Sequence, residues 1–142
     1  MEVRRLTVAD YEEITTLWNR ACLPFKTEGR DGKEAIRSQM QANPDFFLGA
    51  FEGNRLVGTV IVSSDMRRGW INRLAVDPDC RCRGVAKVLL VSSEKTLRTR
   101  GLRIFCSLID DSNKASKALF KKCGYIEHCN ISYFSKRDSN EV

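Results

Sequence analysis

The sequence predicts a single α/β (α+β) domain built on a mixed β-sheet flanked by helices. Residues 46–76 hold three apolar segments joined by short polar turns, the pattern of consecutive antiparallel strands. From Val85 the apolar spacing changes to a helical period. A buried-strand segment and a further helix then follow, with no linker, repeat or low-complexity stretch between them. At 142 residues the chain has room for one domain of ordinary size with a real core.

Taken in order, residues 3–6 read as a short first strand. Thr7-Val8-Ala9-Asp10 has capping-box form, with Asp in place of the preferred Glu, and opens a helix carrying Ile14, Leu17, Trp18 and Ala21 at helical spacing. Leu23-Pro24-Phe25 stops that helix, and residues 26–32 form a polar, glycine-containing loop. Residues 33–41 make a second helix with Ile36 and Met40 on one face, ended by Asn43-Pro44. The three strands of the meander span 46–51, 55–63 and 70–76, with turns at 52–54 and 65–69. Val85, Val88, Leu89 and Leu97 mark a long helix that Gly101 caps, and residues 103–108 form a buried strand. Ser112 is the predicted cap of a last helix bearing Ala115, Ala118 and Leu119 and closed by Gly124; residues 125–135 return as one strand or two. The order is β-α-α-β-β-β-α-β-α-β, with the domain over 1–137 and a frayed tail over 138–142.

Composition narrows the function classes. No apolar run approaches the roughly 20 residues that span a bilayer, and the N-terminus passes straight into patterned sequence, so no membrane partner and a cytoplasmic location are expected. The cysteines at 22, 80, 82, 106, 123 and 129 form no Cys-x-x-Cys pair, and His128 is the only histidine, so no metal site is expected. Cys106, Cys123 and Cys129 fall in apolar segments, where a free thiol behaves as a small core residue in a reducing compartment. Lys and Arg exceed Asp and Glu by 24 to 18, a net +6 that favours an anionic ligand. A nucleic-acid surface would spread that charge over one face with aromatics between; here the strongest cluster falls on one loop, and no nucleic-acid partner is expected.

That loop is the most informative segment: Leu74-Ala75-Val76-Asp77-Pro78-Asp79-Cys80-Arg81-Cys82-Arg83-Gly84-Val85-Ala86-Lys87. A strand ends at Val76, a turn with Pro78 follows, and a helix begins near Gly84. The first turn of a helix carries N–H groups without intrahelical partners, and the macrodipole adds positive potential there. Gly84 and Ala86 keep the surface small enough for an anion to reach the backbone, and Arg81, Arg83 and Lys87 add full charges. Together they describe a pyrophosphate site, although neither Gly-x-x-x-x-Gly-Lys-Ser/Thr nor Gly-x-Gly-x-x-Gly is present.

Arg81-Cys82-Arg83-Gly84-Val85-Ala86 is similar to the Arg/Gln-x-x-Gly-x-Gly/Ala signature of the GNAT superfamily of acetyl-coenzyme A-dependent N-acetyltransferases. Asn113, followed by Leu119-Phe120-Lys121-Lys122-Cys123-Gly124-Tyr125, resembles a second feature of that family, and the element order agrees along nearly the whole chain. The chain resembles the small stand-alone microbial members. The resemblance implies a sheet splayed between the 70–76 and 103–108 strands, with the pantetheine arm of acetyl-coenzyme A wedged into the gap. It implies backbone bonds from Leu74 and Val76, flanking Ala75, to the pantetheine and thioester. Residues from Arg81 and Cys82 through Arg83, Gly84, Val85 and Ala86 to Lys87 would surround the pyrophosphate. Asn113 would touch the pantetheine from the far side, and the helix after it, Phe120 included, would shape the floor.

Acetyl transfer needs a neutral amine, a donor to the developing oxyanion and a proton for the departing thiolate. Many family members place a tyrosine acid where this chain has Phe120, which cannot donate a proton. Tyr125, Tyr133, Cys123 or a water held by Asn113 are the stand-ins; Asn72 or His128 through water, or Glu28, are candidates for the base. A lysine amine with a pKa near 10.4 is neutral in about one molecule in 2,500 at pH 7, a deficit of roughly 4.6 kcal/mol, whereas an α-amine near 7.7 loses only about 1 kcal/mol. Without an obvious acid–base pair, the sequence leans toward an easily deprotonated amine. In the family, the first two helices and their loop tend to select the acceptor; here they offer Trp18, Phe25, Lys26, Glu28, Arg30 and Asp31, facing Asn72 and Arg73. Lys26 and Arg30 suit a carboxylate, as on an amino acid or peptide. The expected partner is thus a small-molecule or peptide amine, and edge-strand pairing in some family members leaves a homodimer open.

Overall fold

A computed structural model describes residues 1–142. β1 (Glu2–Arg5) runs into the expected capping box, in which the Thr7 N–H donates to Asp10 Oδ2 at 2.8 Å and Arg4 Nη2 to Asp10 Oδ1 at 3.1 Å. The box opens a 3₁₀ turn, Val8–Asp10, that continues as α1 (Tyr11–Arg20), and the chain leaves this helix through Cys22 at φ 58°. Helix α2 (Lys33–Ala42) buries Ile36 and Met40 and stops where Asn43-Pro44 forces a 3₁₀ turn. Strands β2 (Phe47–Glu52), β3 (Arg55–Ser64) and β4 (Gly69–Val76) form the meander. Helix α3 (Val85–Thr99), β5 (Phe105–Cys106) and α4 (Lys114–Lys122) complete the fold.

The five strands lie in the order β1-β2-β3-β4-β5, antiparallel except for the parallel pair β4–β5. Successive strand residues face opposite sides of a sheet. A side chain at Gly58 would strike Val85 and Leu89 of α3, while the next residue, Thr59, accepts a hydrogen bond from Trp18 of α1 at 2.9 Å. Helices α1 and α3 therefore cover opposite faces. The underside of α3 contributes Val85, Leu89, Leu90 and Leu97 to the core, and Leu97 lies directly against Gly69.

The sheet splays where the resemblance places the gap. Strands β4 and β5 pair only at Gly69↔Phe105 and Trp70↔Cys106, and Ser107 Oγ makes a last contact with Ile71 O at 2.9 Å. On its other side β4 carries a bulge. Thr59 pairs with Ala75 and Ile61 with Asn72, so Arg73 and Leu74 stand opposite the single residue Val60. The strand expected over 103–108 is therefore short, because β4 turns away before the ladder can extend.

Three further expectations change. The cap of α4 is Asn113, whose Oδ1 accepts from Ser116 N–H at 3.1 Å, while the predicted cap, Ser112, donates to Asp110. Residues 125–135 form no strand. Glu127 is instead paired with Lys117 and Lys121 of α4 at 2.9 and 3.0 Å, and Ile126, Ile131, Tyr133 and Phe134 stand exposed. Residues 138–142, expected to fray, curl back: Arg137 Nη1 donates to Val142 O at 2.8 Å, and the backbone of Glu141 and Val142 lies against Gly29.

Leu97→Ala should test the seat of α3. The side chain is wholly buried, so its loss should cost about 3 kcal/mol and lower the melting temperature by roughly 10 °C in a thermal scan. A change below about 1 kcal/mol would mean that this end of the helix is not packed as described.

Candidate active site

β4 runs along the gap beside β5 and leads directly into the loop before α3. Asp77 donates its backbone N–H to Val57 O on β3 at 2.8 Å. By the alternation of the ladder Ala75 also faces β3, so Leu74 and Val76 direct their N–H and C=O groups into the gap. The bulge creates this phase: upstream of it the odd-numbered Ile71 faces β5, and the extra residue turns the even-numbered Leu74 and Val76 that way. The bulge is itself tied down: the Trp18 indole donates to Thr59 Oγ1, which donates to Arg73 O at 3.3 Å.

Past Val76, Asp77 caps the 3₁₀ turn Pro78–Cys80, accepting from Asp79 N–H at 2.9 Å. Its other oxygen meets Arg55 at 2.8 Å and Arg20 at 3.0 Å. Burial alone would raise this carboxyl, but the Asp79 N–H and the Arg55 and Arg20 guanidinium groups hold it below the ordinary carboxylate range. The loop then curls through two left-handed residues, Cys82 at φ 62° and Gly84 at φ 83°, and enters α3. None of the backbone N–H groups of residues 81–87 donates to a backbone or side-chain acceptor of the protein, apart from the intrahelical bonds that begin beyond them. Gly84 would meet nothing if it carried a Cβ, so its requirement is conformational: a left-handed backbone costs other residues about 1–2 kcal/mol. These unpaired amides, the helix dipole and the cations fit a pyrophosphate. Arg81 and Lys87 are exposed, while Arg83 shares its charge with Glu52 at 3.4 Å.

Other candidates are distributed less simply. Asn72 is half-buried at the mouth of the gap and donates to Ser63 Oγ at 3.2 Å. Asn113 is exposed and engaged as a helix cap. Phe120 is buried edge-on against Tyr125, with ring centroids 4.9 Å apart. Tyr125 is a poor stand-in for a tyrosine acid, because its hydroxyl donates to Glu94 Oε2 at 2.6 Å and burial and that carboxylate push its pKa far up. His128 and Tyr133 lie in the segment that forms no strand and are exposed, with no side-chain hydrogen bond. Trp18, expected beside the acceptor, is a core residue at 1% exposure; it supports Phe25, whose ring lies 5.7 Å away, and Arg73, whose guanidinium lies 4.2 Å over the indole. Lys26 and Arg30 are exposed on the loop, and Asp31 is buried beneath it, where its Oδ2 accepts from Lys26 N–H at 2.8 Å. The sequence reading did not single out Asp77 or Thr59; the Asp-Pro pair after a strand was the available signal for the first, and a threonine inside an apolar strand for the second.

A mixed sheet thus parts beside a loop whose backbone amides suit an anion. The chain belongs to the GNAT acetyltransferase family, whose model matches residues 11–125, and is an acetyltransferase. It is 34% identical over 138 residues to acetyltransferase plu1384 of Photorhabdus laumondii, covering 96% of this chain and 95% of that protein. It is 32% identical over 139 residues to acetyltransferase SG1711 of Sodalis glossinidius, with the same coverage. Among solved structures, the PaiA N-acetyltransferase of Thermoplasma acidophilum in complex with coenzyme A superposes with a TM-score of 0.76 at 22% identity over 87% of each chain. AAC(6')-Iy bound to a bisubstrate analogue, CoA-S-monomethyl-acetylneamine, gives 0.78 at 18% identity over 96% of this chain and 97% of that one.

The Asp77 cluster supplies a stability test. Asp77→Asn should cost about 2 kcal/mol at neutral pH, since it weakens hydrogen bonds to a charged group. Folding lowers the Asp77 pKa below its unfolded value near 3.9, so the contribution is complete above about pH 4 and fades as pH falls through the folded value. Denaturation of the two proteins measured from pH 7 to pH 2 should converge at the acid end. An unchanged difference across that range would remove the charge from the explanation.

Proposed function

We propose that this acetyltransferase takes its acetyl group from acetyl-coenzyme A and passes it directly to an amine, on an amino acid, a peptide or protein N-terminus, or a small amine. The observation that carries this reading is the run of unpartnered backbone amides from Arg81 to Lys87 at the head of α3. These amides, with Arg81 and Lys87, suit the diphosphate of the cofactor. Leu74 and Val76 offer backbone groups for the pantetheine and the thioester carbonyl, where an N–H would stabilise the developing oxyanion. Asn113 and Phe120, across the gap on α4, complete the channel in this reading.

Asn72, whose amide donates to Ser63 on β3, is the base candidate in this scheme, acting through water. Tyr133 and His128 serve as acid or base in this scheme only when residues 125–135 fold back toward the gap. With Tyr125 tied to Glu94, the scheme leaves the thiolate to take its proton from water, which matches an acceptor amine that is easily deprotonated. A cytoplasmic setting is consistent with six free cysteines and with the lack of any helix long and apolar enough to cross a membrane.

The same observation at Tyr125, with Phe120 in the usual place of the acid, favours one second reading, a catalytically silent acyl-coenzyme A-binding domain. A panel of amines assayed by thiol release separates the two. The enzyme should release free coenzyme A above background with at least one amine; binding of acetyl-coenzyme A without release would select the silent domain. Gly84→Val should weaken acetyl-coenzyme A binding by about tenfold or more in calorimetry, while the melting temperature falls by only roughly 5–10 °C. Unchanged affinity in that variant would refute the loop as the diphosphate site.

A further inference from the structure

Arg73 occupies the bulge of β4, immediately before Leu74, in a left-handed conformation (φ 54°) that costs a residue with a side chain about 1–2 kcal/mol. Its side chain is only 18% exposed and lies over the Trp18 ring. Nη1 donates to Pro24 O at 2.5 Å. Nε and Nη2 are shielded from solvent and donate to nothing. The sole nearby carboxylate is Asp31, whose Oδ2 stands 3.9 Å from Nη2, beyond hydrogen-bond distance, and already accepts the Lys26 N–H. Arg30, on the same loop, adds a positive charge that works against that of Arg73.

A buried donor without a partner costs about 1–3 kcal/mol, more when it is charged. Two such donors on one edge of a guanidinium form a fork, and a fork of two parallel N–H groups matches the two oxygens of a carboxylate. The fork belongs to the residue next to the gap-facing backbone of Leu74, on the side roofed by the loop between α1 and α2. Pro24 O is the guanidinium's only hydrogen-bond partner and it is held by Nη1, so the Nε and Nη2 edge has no hydrogen bond to give up when a carboxylate binds there.

We propose that Arg73 selects the acceptor by binding a carboxylate carried on the same small molecule or peptide as the reacting amine. This rests on the acetyl-transfer reading and narrows it. The acceptor is an amino acid or a similar amino carboxylate, and polycationic amines are disfavoured by Arg73, Arg30 and Lys26 together.

The test uses the wild-type enzyme first. A series of ω-amino acids of increasing chain length is compared with the matching amides by thiol release, each kcat/KM being referred to the neutral amine through its pH profile. The carboxylate member should be preferred by about tenfold or more at one chain length, chiefly through KM. Arg73→Gln should bring the two members of each pair together, and Arg73→Lys should keep part of the preference. Equal use of acid and amide at every length, or a preference that survives Arg73→Gln, would overturn the assignment to Arg73 while leaving acetyl transfer intact. Binding of acetyl-coenzyme A with no transfer to either class would overturn transfer and this inference together.

Discussion

The bulge at Arg73 and Leu74 sets the geometry of everything on the active side of the molecule. Without the extra residue, β4 would keep its upstream phase and the backbone groups of Leu74 and Val76 would be consumed by the ladder to β3. A one-residue slip in a strand reverses the direction of every group after it. Here the slip is built in at one point and held by a chain of hydrogen bonds from Trp18 through Thr59 to Arg73 O. The same residues that bury α1 against the sheet therefore keep the gap lined with free amides, and core packing and site geometry share one constraint.

The charges around the loop divide into two groups with different work. Arg20 and Arg55 converge on Asp77 and fasten the turn that aims the loop, so they belong to its foundation. Arg83 is shared with Glu52 across the β2–β3 turn. That leaves the backbone itself, with Arg81 and Lys87, to face an anion. Amides fixed by a helix and by two left-handed residues need no reorganisation when an anion arrives, whereas long cationic side chains must be ordered.

Much of this was legible in the sequence because it depends on local pattern. The meander, the helix at Val85 and the loop from Asp77 to Lys87 follow from spacing, turn residues and one glycine, and the structure has them within a residue or two of their expected bounds. The capping box at Thr7 was readable for the same reason. What was missed depends on contacts between distant residues. That β5 is released after Cys106 follows from a bulge on its neighbour, which no pattern within residues 103–108 encodes. Residues 125–135 have strand-like composition, yet Glu127 finds two lysines on α4 and the segment stays off the sheet. Trp18 is expected beside the acceptor because it lies on the first helix, which tends to select the acceptor in the family; its indole N–H has a partner on β3 and its side chain is buried. Arg73 was correctly placed opposite the first loop; its unpaired donors become visible only when Asp31 is seen to fall short of them.

The contact between Gly69 and Leu97 restricts how this chain can vary. A Cβ at position 69 would lie 2.5 Å from a methyl carbon of Leu97, closer than two carbon atoms can stand. Even alanine, the smallest chiral residue, makes Leu97 move or shrink. The two positions are 28 residues apart in the chain, yet they are coupled: a side chain at the first makes Leu97 shift or shrink.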